Sequence, residues 1–340
     1  MIDTKQVAVL GGGSFGTVLA NIAASNGHEV RLWVRDAEQA LRINSEGANA
    51  TYHPELILSD NISASEDLES VVSNAEYILV ATPSLIFEQI IARLAPYIHS
   101  SVSIISCTKG IQPDPFRTMT EIISHHLSHI IGNQIGALSG PNLAKEIAEQ
   151  KIAGTVIASS NSELTSNIKL ILSSSTFKVF SSSDIQGVEL AGALKNIYAI
   201  CCGIAHAKNV GENALGFIIT RSMAEMSRFA VAKGANPITF LGLSGMGDLM
   251  ATCTSKLSRN FQLGELIARD ISLLEAKELV GQVAEGARTL EVVYQEAQTM
   301  QVSMPMVESL YNILYKGVKS EQLLEDLLDH PNEVDVEFTQ

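Results

Sequence analysis

The sequence has little that would tie it to nucleic acid, membrane or metal. Its 340 residues carry 23 Lys plus Arg against 37 Asp plus Glu, a net charge of −14. So acidic a surface repels polyanions, which argues against nucleic acid and anionic membrane as partners. An anionic small molecule stays possible only where basic residues gather locally. The four Cys, at 107, 201, 202 and 253, show no C-x-x-C spacing and no zinc-like grouping with His. They read as free thiols of a reducing cytoplasm. His125, His126 and His129 read as a helix surface and not as metal ligands, so no metal is expected. No uncharged apolar run reaches the roughly 18 residues that a membrane helix needs. Internal repeats and low-complexity tracts are absent, and the first residues enter a strand with no signal-peptide pattern. These absences leave a cytoplasmic globular protein of ordinary composition, long enough for two domains.

What is present starts almost at once. Gln6–Leu10 is an apolar, strand-like run, and Gly11-Gly12-Gly13-Ser14-Phe15-Gly16 follows it directly. A helical pattern then places Phe15, Val18, Leu19, Ile22 and Ala23 on one face and stops at Gly27. This is G-x-G-x-x-G between a strand and a helix, the setting in which the motif signals dinucleotide binding. Gly11 permits the tight turn, Gly13 lets the backbone reach a pyrophosphate, and Gly16 lets helix pack on strand. The helix N-terminus offers free N–H groups to phosphate. A glycine-rich turn that binds nothing would not need three glycines at these spacings.

Up to about residue 180, strand-like runs alternate with helical ones. The expected strands are Glu29–Val34, Tyr77–Ala81, Val102–Ser106, Ile135–Ser139, Thr155–Ala158 and Phe177–Phe180, with helices at Leu85–Leu94 and Leu164–Leu172. Such alternation predicts an α/β, doubly wound, mostly parallel sheet, with ligand chemistry at the carboxyl ends of its strands. Thr82-Pro83-Ser84, Thr108-Lys109-Gly110 and Gly140-Pro141-Asn142 fall there. Residues 184–330 show helical periodicity alone. The expected division is a dinucleotide domain at 1–183, a helical substrate domain at 184–330 and a frayed acidic tail at 331–340.

Lys195 is the sharpest single residue. It is the only charge between Glu189 and His206, on a helix otherwise built of Leu, Ile, Ala, Gly and Cys. A buried ammonium must be paired, neutralised or turned to a polar cavity. One reading is a snorkelling lysine; the other is a general acid/base tuned by desolvation and neighbouring cations. Arg35 and Asp36 follow the second strand. An Arg there suits the 2′-phosphate of NADP and an acid suits the ribose of NAD, so NADPH is favoured with NADH tolerated. A solvated charge pair is the competing reading. Ser258-Arg259-Asn260 looks like a capped helix start, where Arg259 could hold phosphate or carboxylate or stand as a surface arginine. Gly245-Met246-Gly247-Asp248 reads as a flexible turn; its carboxylate would orient a lysine or a substrate hydroxyl, but taken alone a plain turn is the stronger reading.

In this order, these segments resemble the NAD(P)-dependent glycerol-3-phosphate dehydrogenases of bacterial type, which reduce dihydroxyacetone phosphate. The resemblance runs through the glycine turn, Cys107-Thr108-Lys109-Gly110, Ser139-Gly140-Pro141-Asn142-Leu143-Ala144-Lys145-Glu146, and Gly187-Val188-Glu189-Leu190 leading to Leu194-Lys195-Asn196. It continues through Gly247-Asp248-Leu249, Thr252-Cys253-Thr254, Ser258-Arg259-Asn260 and Gln282-Val283-Ala284-Glu285-Gly286. It implies a Rossmann domain followed by an all-helical domain, with Lys195 as general acid/base and Lys109 and Asp248 also catalytic. It implies substrate contacts from Lys109, Gly140, Asn142, Lys195, Asp248, Ser258, Arg259 and Asn260. Cofactor contacts are implied for Gly11, Gly13, Ser14, Phe15, Gly16, Arg35, Lys109, Ala144, Arg259, Val283 and Glu285. A homodimer that supplies glycerol 3-phosphate to phospholipid biosynthesis is implied as well. Many relatives are expected to have Thr-Phe after Ser-Gly-Pro, where this chain has Asn142-Leu143; Asn still donates and accepts hydrogen bonds.

Two other readings compete. A β-hydroxyacid dehydrogenase relative would share both halves and a lysine but take a carboxylate substrate. A non-catalytic NADP sensor would bind cofactor without turnover, and Lys109, Lys195 and Asp248 speak against it.

Overall fold

Strands of the N-terminal half are apolar at successive positions, as a sheet covered on both faces requires. The computed structural model describes residues 3–130, 132–281 and 284–329, and among these eight strands form one sheet. The strands are β1 (Gln6–Leu10), β2 (Glu29–Trp33), β3 (Ile62–Ser65), β4 (Tyr77–Val80), β5 (Ser103–Ser106), β6 (Ile135–Ser139), β7 (Ala153–Ala158) and β8 (Phe177–Ser182). Between and beside them lie α1 (Ser14–Ser25), α2 (Ala37–Glu46), α3 (Leu68–Val72), α4 (Ser84–Leu94), α5 (Met119–His126), α6 (Ala144–Ala148) and α7 (Ser162–Leu172).

Across the sheet the order is β3-β2-β1-β4-β5-β6-β7-β8. The first six strands are parallel to one another; β7 is antiparallel to β6, and β8 is parallel to β7. This is the doubly wound order, and its switch point lies between β1 and β4. Side chains alternate between two cores, one on each face. Val7, Val9, Leu79 and Ile105 join one, while Ala8, Leu10, Ile78, Val80 and Ile104 join the other.

β3 has no counterpart among the expected strands. It pairs only with β2, and its Ile-Ser-Ala-Ser run buries Ala64 while Ser63 faces out. An edge strand this short carries no apolar run to announce it.

The second half is helical: α8 (Ile185–Ala207), α9 (Glu212–Ala232), α10 (Asp248–Cys253), α11 (Arg259–Ile267), α12 (Leu273–Val280), α13 (Glu285–Met300), α14 (Pro305–Lys316) and α15 (Gln322–Asp329). Every residue of α8 from Gly187 to Ala205 is buried. By length and composition α8 could cross a membrane, but here it is the central core helix.

The chain divides into two compact units. One comprises residues up to Lys109 together with Thr118–Ile185; the other comprises Gly110–Arg117 and the described residues from Gln186 on. Gly110–Arg117 joins the helical unit through Ile111, 2% exposed in its core, and through Phe116, whose ring lies 6.0 Å from that of Phe229. Local periodicity does not assign this segment to the helical half. The acidic tail at 331–340 lies outside the described residues.

Candidate active site

In the sheet unit the glycine turn sits at the carboxyl ends of β1 and β4. A Cβ on Gly11 (φ +120°) would lie 2.7 Å from the Ala81 carbonyl oxygen, and one on Gly16 would lie 1.9 Å from that of Gly11. Neither position admits a side chain. A Cβ on Gly13 would meet nothing within 4 Å, so the backbone there faces open space. Ser14, Phe15 and Gly16 begin α1, whose N-terminus has no side-chain cap and no acid in its first turn. By contrast α2, α3 and α7 are capped by Asp36, Asp67 and Asn161. Open backbone N–H groups beside an open cradle suit a pyrophosphate, so these residues fit a dinucleotide.

Side chains absent from the sequence reading hold this turn. Gln39 Nε2 donates to the Gly12 carbonyl at 2.7 Å, and Asn49 Nδ2 donates to the same oxygen at 3.0 Å. Nothing in the local pattern separates them from ordinary polar residues of a helix and a loop. Arg35 is exposed where β2 ends, and Asp36 beside it accepts from the Glu38 backbone N–H as the cap of α2.

At the next strand ends, Thr108 Oγ1 donates to the Thr82 carbonyl at 2.7 Å, tying β5 to β4. Lys109 Nζ donates to the Gly140 carbonyl at 2.9 Å. Asn142 Nδ2 donates to Thr155 Oγ1 at 2.9 Å, and that hydroxyl donates on to the Ser139 carbonyl. Lys109, Gly140 and Asn142 are thus brought together, with Ala144 at the start of α6.

In the helical unit, Lys195 is 7% exposed and its Nζ lies 2.5 Å from Asp248 Oδ1 and 2.6 Å from Thr252 Oγ1. The expected cationic neighbour is, in this unit, a carboxylate. Asp248 also departs from expectation: it does not stand on a flexible turn. It is 1% exposed at the first residue of α10, after a π-turn over Leu243–Gly247. Burial beside an ammonium demands a fixed carboxylate, which a mobile turn could not supply. Thr252 Oγ1 donates its one hydrogen to the Asp248 carbonyl at 2.6 Å, so toward Lys195 it can only accept.

Ser258 caps α11 by accepting from the Phe261 N–H, and Arg259 is exposed at the first helical position. Asn260 Nδ2 donates to Asn196 Oδ1 at 2.9 Å, and its own Oδ1 accepts from the Gly286 N–H at 2.9 Å. This amide ladder links the residues next to Lys195, Arg259 and Glu285. α8 and α11 also touch backbone to backbone: a Cβ on Gly203 would fall 2.0 Å from the Phe261 carbonyl oxygen, and one on Gly264 2.1 Å from that of Ile200. Glu285 opens α13, whereas Val283 lies outside the described residues.

Two family models match. The N-terminal model of NAD-dependent glycerol-3-phosphate dehydrogenase covers residues 6–165, and its C-terminal model covers 184–325. The chain belongs to this family. A glycerol-3-phosphate dehydrogenase (NAD(P)+) of Alcanivorax borkumensis is 48% identical over 336 residues, 99% of this chain and 97% of that one. One of Acinetobacter baumannii is 46% identical over 340 residues, covering 99% and 94%. The crystal structure of glycerol-3-phosphate dehydrogenase from Coxiella burnetii superposes with a TM-score of 0.91 at 32% identity, over 96% of this chain and 99% of that one.

Within this family frame, the sequence reading reached Lys195 and Arg259, and also Asp248 as a carboxylate for orienting a lysine, which here holds Lys195. Thr252 and Asn196 stood in the quoted motifs without a role. Asn196 could have been noticed, as the only polar neighbour of Lys195 on an apolar helix.

Proposed function

We propose that this chain interconverts dihydroxyacetone phosphate and sn-glycerol 3-phosphate with NADP or NAD, Lys195 serving as general acid/base. The observation that carries this reading is the buried Lys195, held between Asp248 and Thr252. The nicotinamide cofactor, when bound, supplies the hydride for the carbonyl carbon. As hydride arrives, the carbonyl oxygen gains negative charge, and Lys195 holds at Nζ the proton that neutralises it. In the reverse direction Lys195 takes the hydroxyl proton.

The ammonium has three N–H groups. Asp248 and Thr252 take two, which leaves one for the substrate oxygen. Arg259, beside the N–H groups at the start of α11 and next to Ser258, is assigned to the substrate phosphate. Asn260 has an N–H left over for the substrate after its bonds to Asn196 and Gly286. Lys109, Gly140 and Asn142 form the substrate-facing group of the sheet unit, with Lys109 bridging to the cofactor. Gly11, Gly13, Ser14, Phe15 and Gly16 are assigned to the pyrophosphate side, and Ala144 and Glu285 to further cofactor contacts. Arg35 is assigned to the 2′-phosphate, which favours NADPH. The same reading makes the enzyme a cytoplasmic homodimer that feeds phospholipid biosynthesis, without nucleic-acid or membrane partners.

The test is oxidation of NADPH and of NADH, followed by absorbance, with dihydroxyacetone phosphate set against β-keto acids bearing a carboxylate. Turnover of the phosphate ester is expected, faster with NADPH. Turnover confined to the carboxylate substrates would replace this reading with the β-hydroxyacid one.

A further inference from the structure

His53 is buried, 5% exposed, in the loop after α2, where its backbone N–H bonds to the Asn49 carbonyl at 2.9 Å. Its Nε2 lies 2.8 Å from the Ser14 carbonyl oxygen and 3.0 Å from Ser14 Oγ. A carbonyl oxygen only accepts, so the shorter contact requires a proton on Nε2. That same N–H faces Ser14 Oγ, which therefore accepts from it. The hydroxyl hydrogen of Ser14 is turned away from His53.

Nearby carbonyls offer that hydrogen little competition. The Gly12 carbonyl is taken by Gln39 and Asn49, the Gly13 carbonyl by the Thr17 N–H, and the Ser14 carbonyl by His53 itself. Meanwhile α1 has neither a side-chain cap nor an acid at its start, and the Gly13 cradle beside it is open. We propose that His53 is a positioning residue, which fixes the Ser14 hydroxyl as a hydrogen-bond donor to the pyrophosphate of the dinucleotide. The proposal rests on the assignment of the α1 N-terminus to the pyrophosphate. It adds the residue that selects which way the serine donates.

The experiment is titration of the full chain, without substrate, by the fluorescence of NADPH and NADH, using Ser14→Ala, His53→Phe, His53→Gln and the Ser14→Ala/His53→Phe double variant. A hydrogen bond to a charged group is worth roughly tenfold or more in affinity. Ser14→Ala and His53→Phe should each weaken both cofactors by about that factor, and by the same factor for each, because the pyrophosphate is common to them. The double variant should bind no more weakly than Ser14→Ala. His53→Gln, which carries an N–H at a similar reach, should recover most of the affinity and so separate positioning from misfolding. At saturating NADPH the kcat of His53→Phe should stay near wild type.

Wild-type affinity in His53→Phe beside a weakened Ser14→Ala would overturn the proposal alone. Additive losses in the double variant, or a larger loss for NADPH than for NADH, would do the same. Wild-type affinity in Ser14→Ala would overturn the pyrophosphate assignment of Ser14 and the proposal with it.

Discussion

In the sheet unit the groups assigned to ligand are mostly backbone: the N–H groups that open α1 and the space beside Gly13, where a side chain would intrude. In the helical unit they are charged side chains, Lys195 and Asp248, buried and paired inside a core of Leu, Ile, Cys and Ala. A glycine turn that leads into a helix can bring backbone to a phosphate because the first turn of that helix leaves its N–H groups unpaired. The interior of a helix, where Lys195 lies, has already used its backbone donors on itself, so chemistry there must come from side chains. Each then needs a partner to offset its desolvation. Glycine spacing therefore marks the groups of the sheet unit, and a lone charge marks those of the helical unit.

The largest effect should come from removing the helical unit's charge. Lys195→Met should lower kcat by about 10²–10⁴-fold while NADPH binding, read by fluorescence, stays near wild type. A variant with normal kcat would make Lys195 structural. Arg259→Ala should mainly raise KM for dihydroxyacetone phosphate. A charge-assisted hydrogen bond contributes about 1.5–3 kcal/mol, tenfold to over a hundredfold in steady-state kinetics. An unchanged KM would move the phosphate to Lys109 or Asn260.

The backbone side is tested by two glycines that differ only in their surroundings. Gly16→Ala puts a methyl group against the Gly11 carbonyl, and Gly13→Ala puts one into open space. Overpacking costs about 1–3 kcal/mol, so Gly16→Ala should melt at lower temperature and bind NADPH poorly. Gly13→Ala should melt like wild type and still bind NADPH more weakly. Equal losses of melting temperature would show that Gly13, too, is needed for the fold alone.

The smallest effect concerns a buried acid of the helical unit. Glu225 accepts from the Met306 and Val307 N–H groups at the start of α14 and from the Tyr198 hydroxyl. Burial outweighs these donors and pushes its carboxyl up from 4.5 to about 7. The unfolded chain then loses this proton first, so the stability contributed falls as pH rises from about 4.5 to about 7 and levels off above. Glu225→Gln should flatten that decline in melting temperature between those limits. A wild-type slope in the variant would assign the pH dependence to other groups.

Much of the sheet unit was legible because its signals are local. The glycine turn and most strands are runs of neighbouring residues, and their periodicity survives without tertiary knowledge. β3 was not legible, since an edge strand of Ile-Ser-Ala-Ser buries too little to show a pattern. In the helical unit Lys195 was visible as an isolated charge. Asp248 was visible as a residue but was placed on a flexible turn, because Gly245 and Gly247 look like turn formers in the sequence. In the structure they belong to a π-turn leading into α10, and a Cβ on Gly245 would lie 2.3 Å from the Phe240 carbonyl oxygen. The roles of Asn196, Asn260 and Gly286 depend on a ladder joining three helices, and no single segment contains it.

The sequence alone determined the glycine turn, the parallel-sheet half, the buried α8 and the lone lysine on it, because each follows from residues a few positions apart. Tertiary structure decided what those residues touch. Asp248 and Thr252 are 53 and 57 positions from Lys195, His53 is 39 from Ser14, and Asn260 is 64 from Asn196. Gly110–Arg117 likewise joins the helical unit although it follows a sheet strand. Helical and strand periods act over a few residues, whereas the pairing of a buried charge is set by whichever distant chain packing brings within about 3 Å.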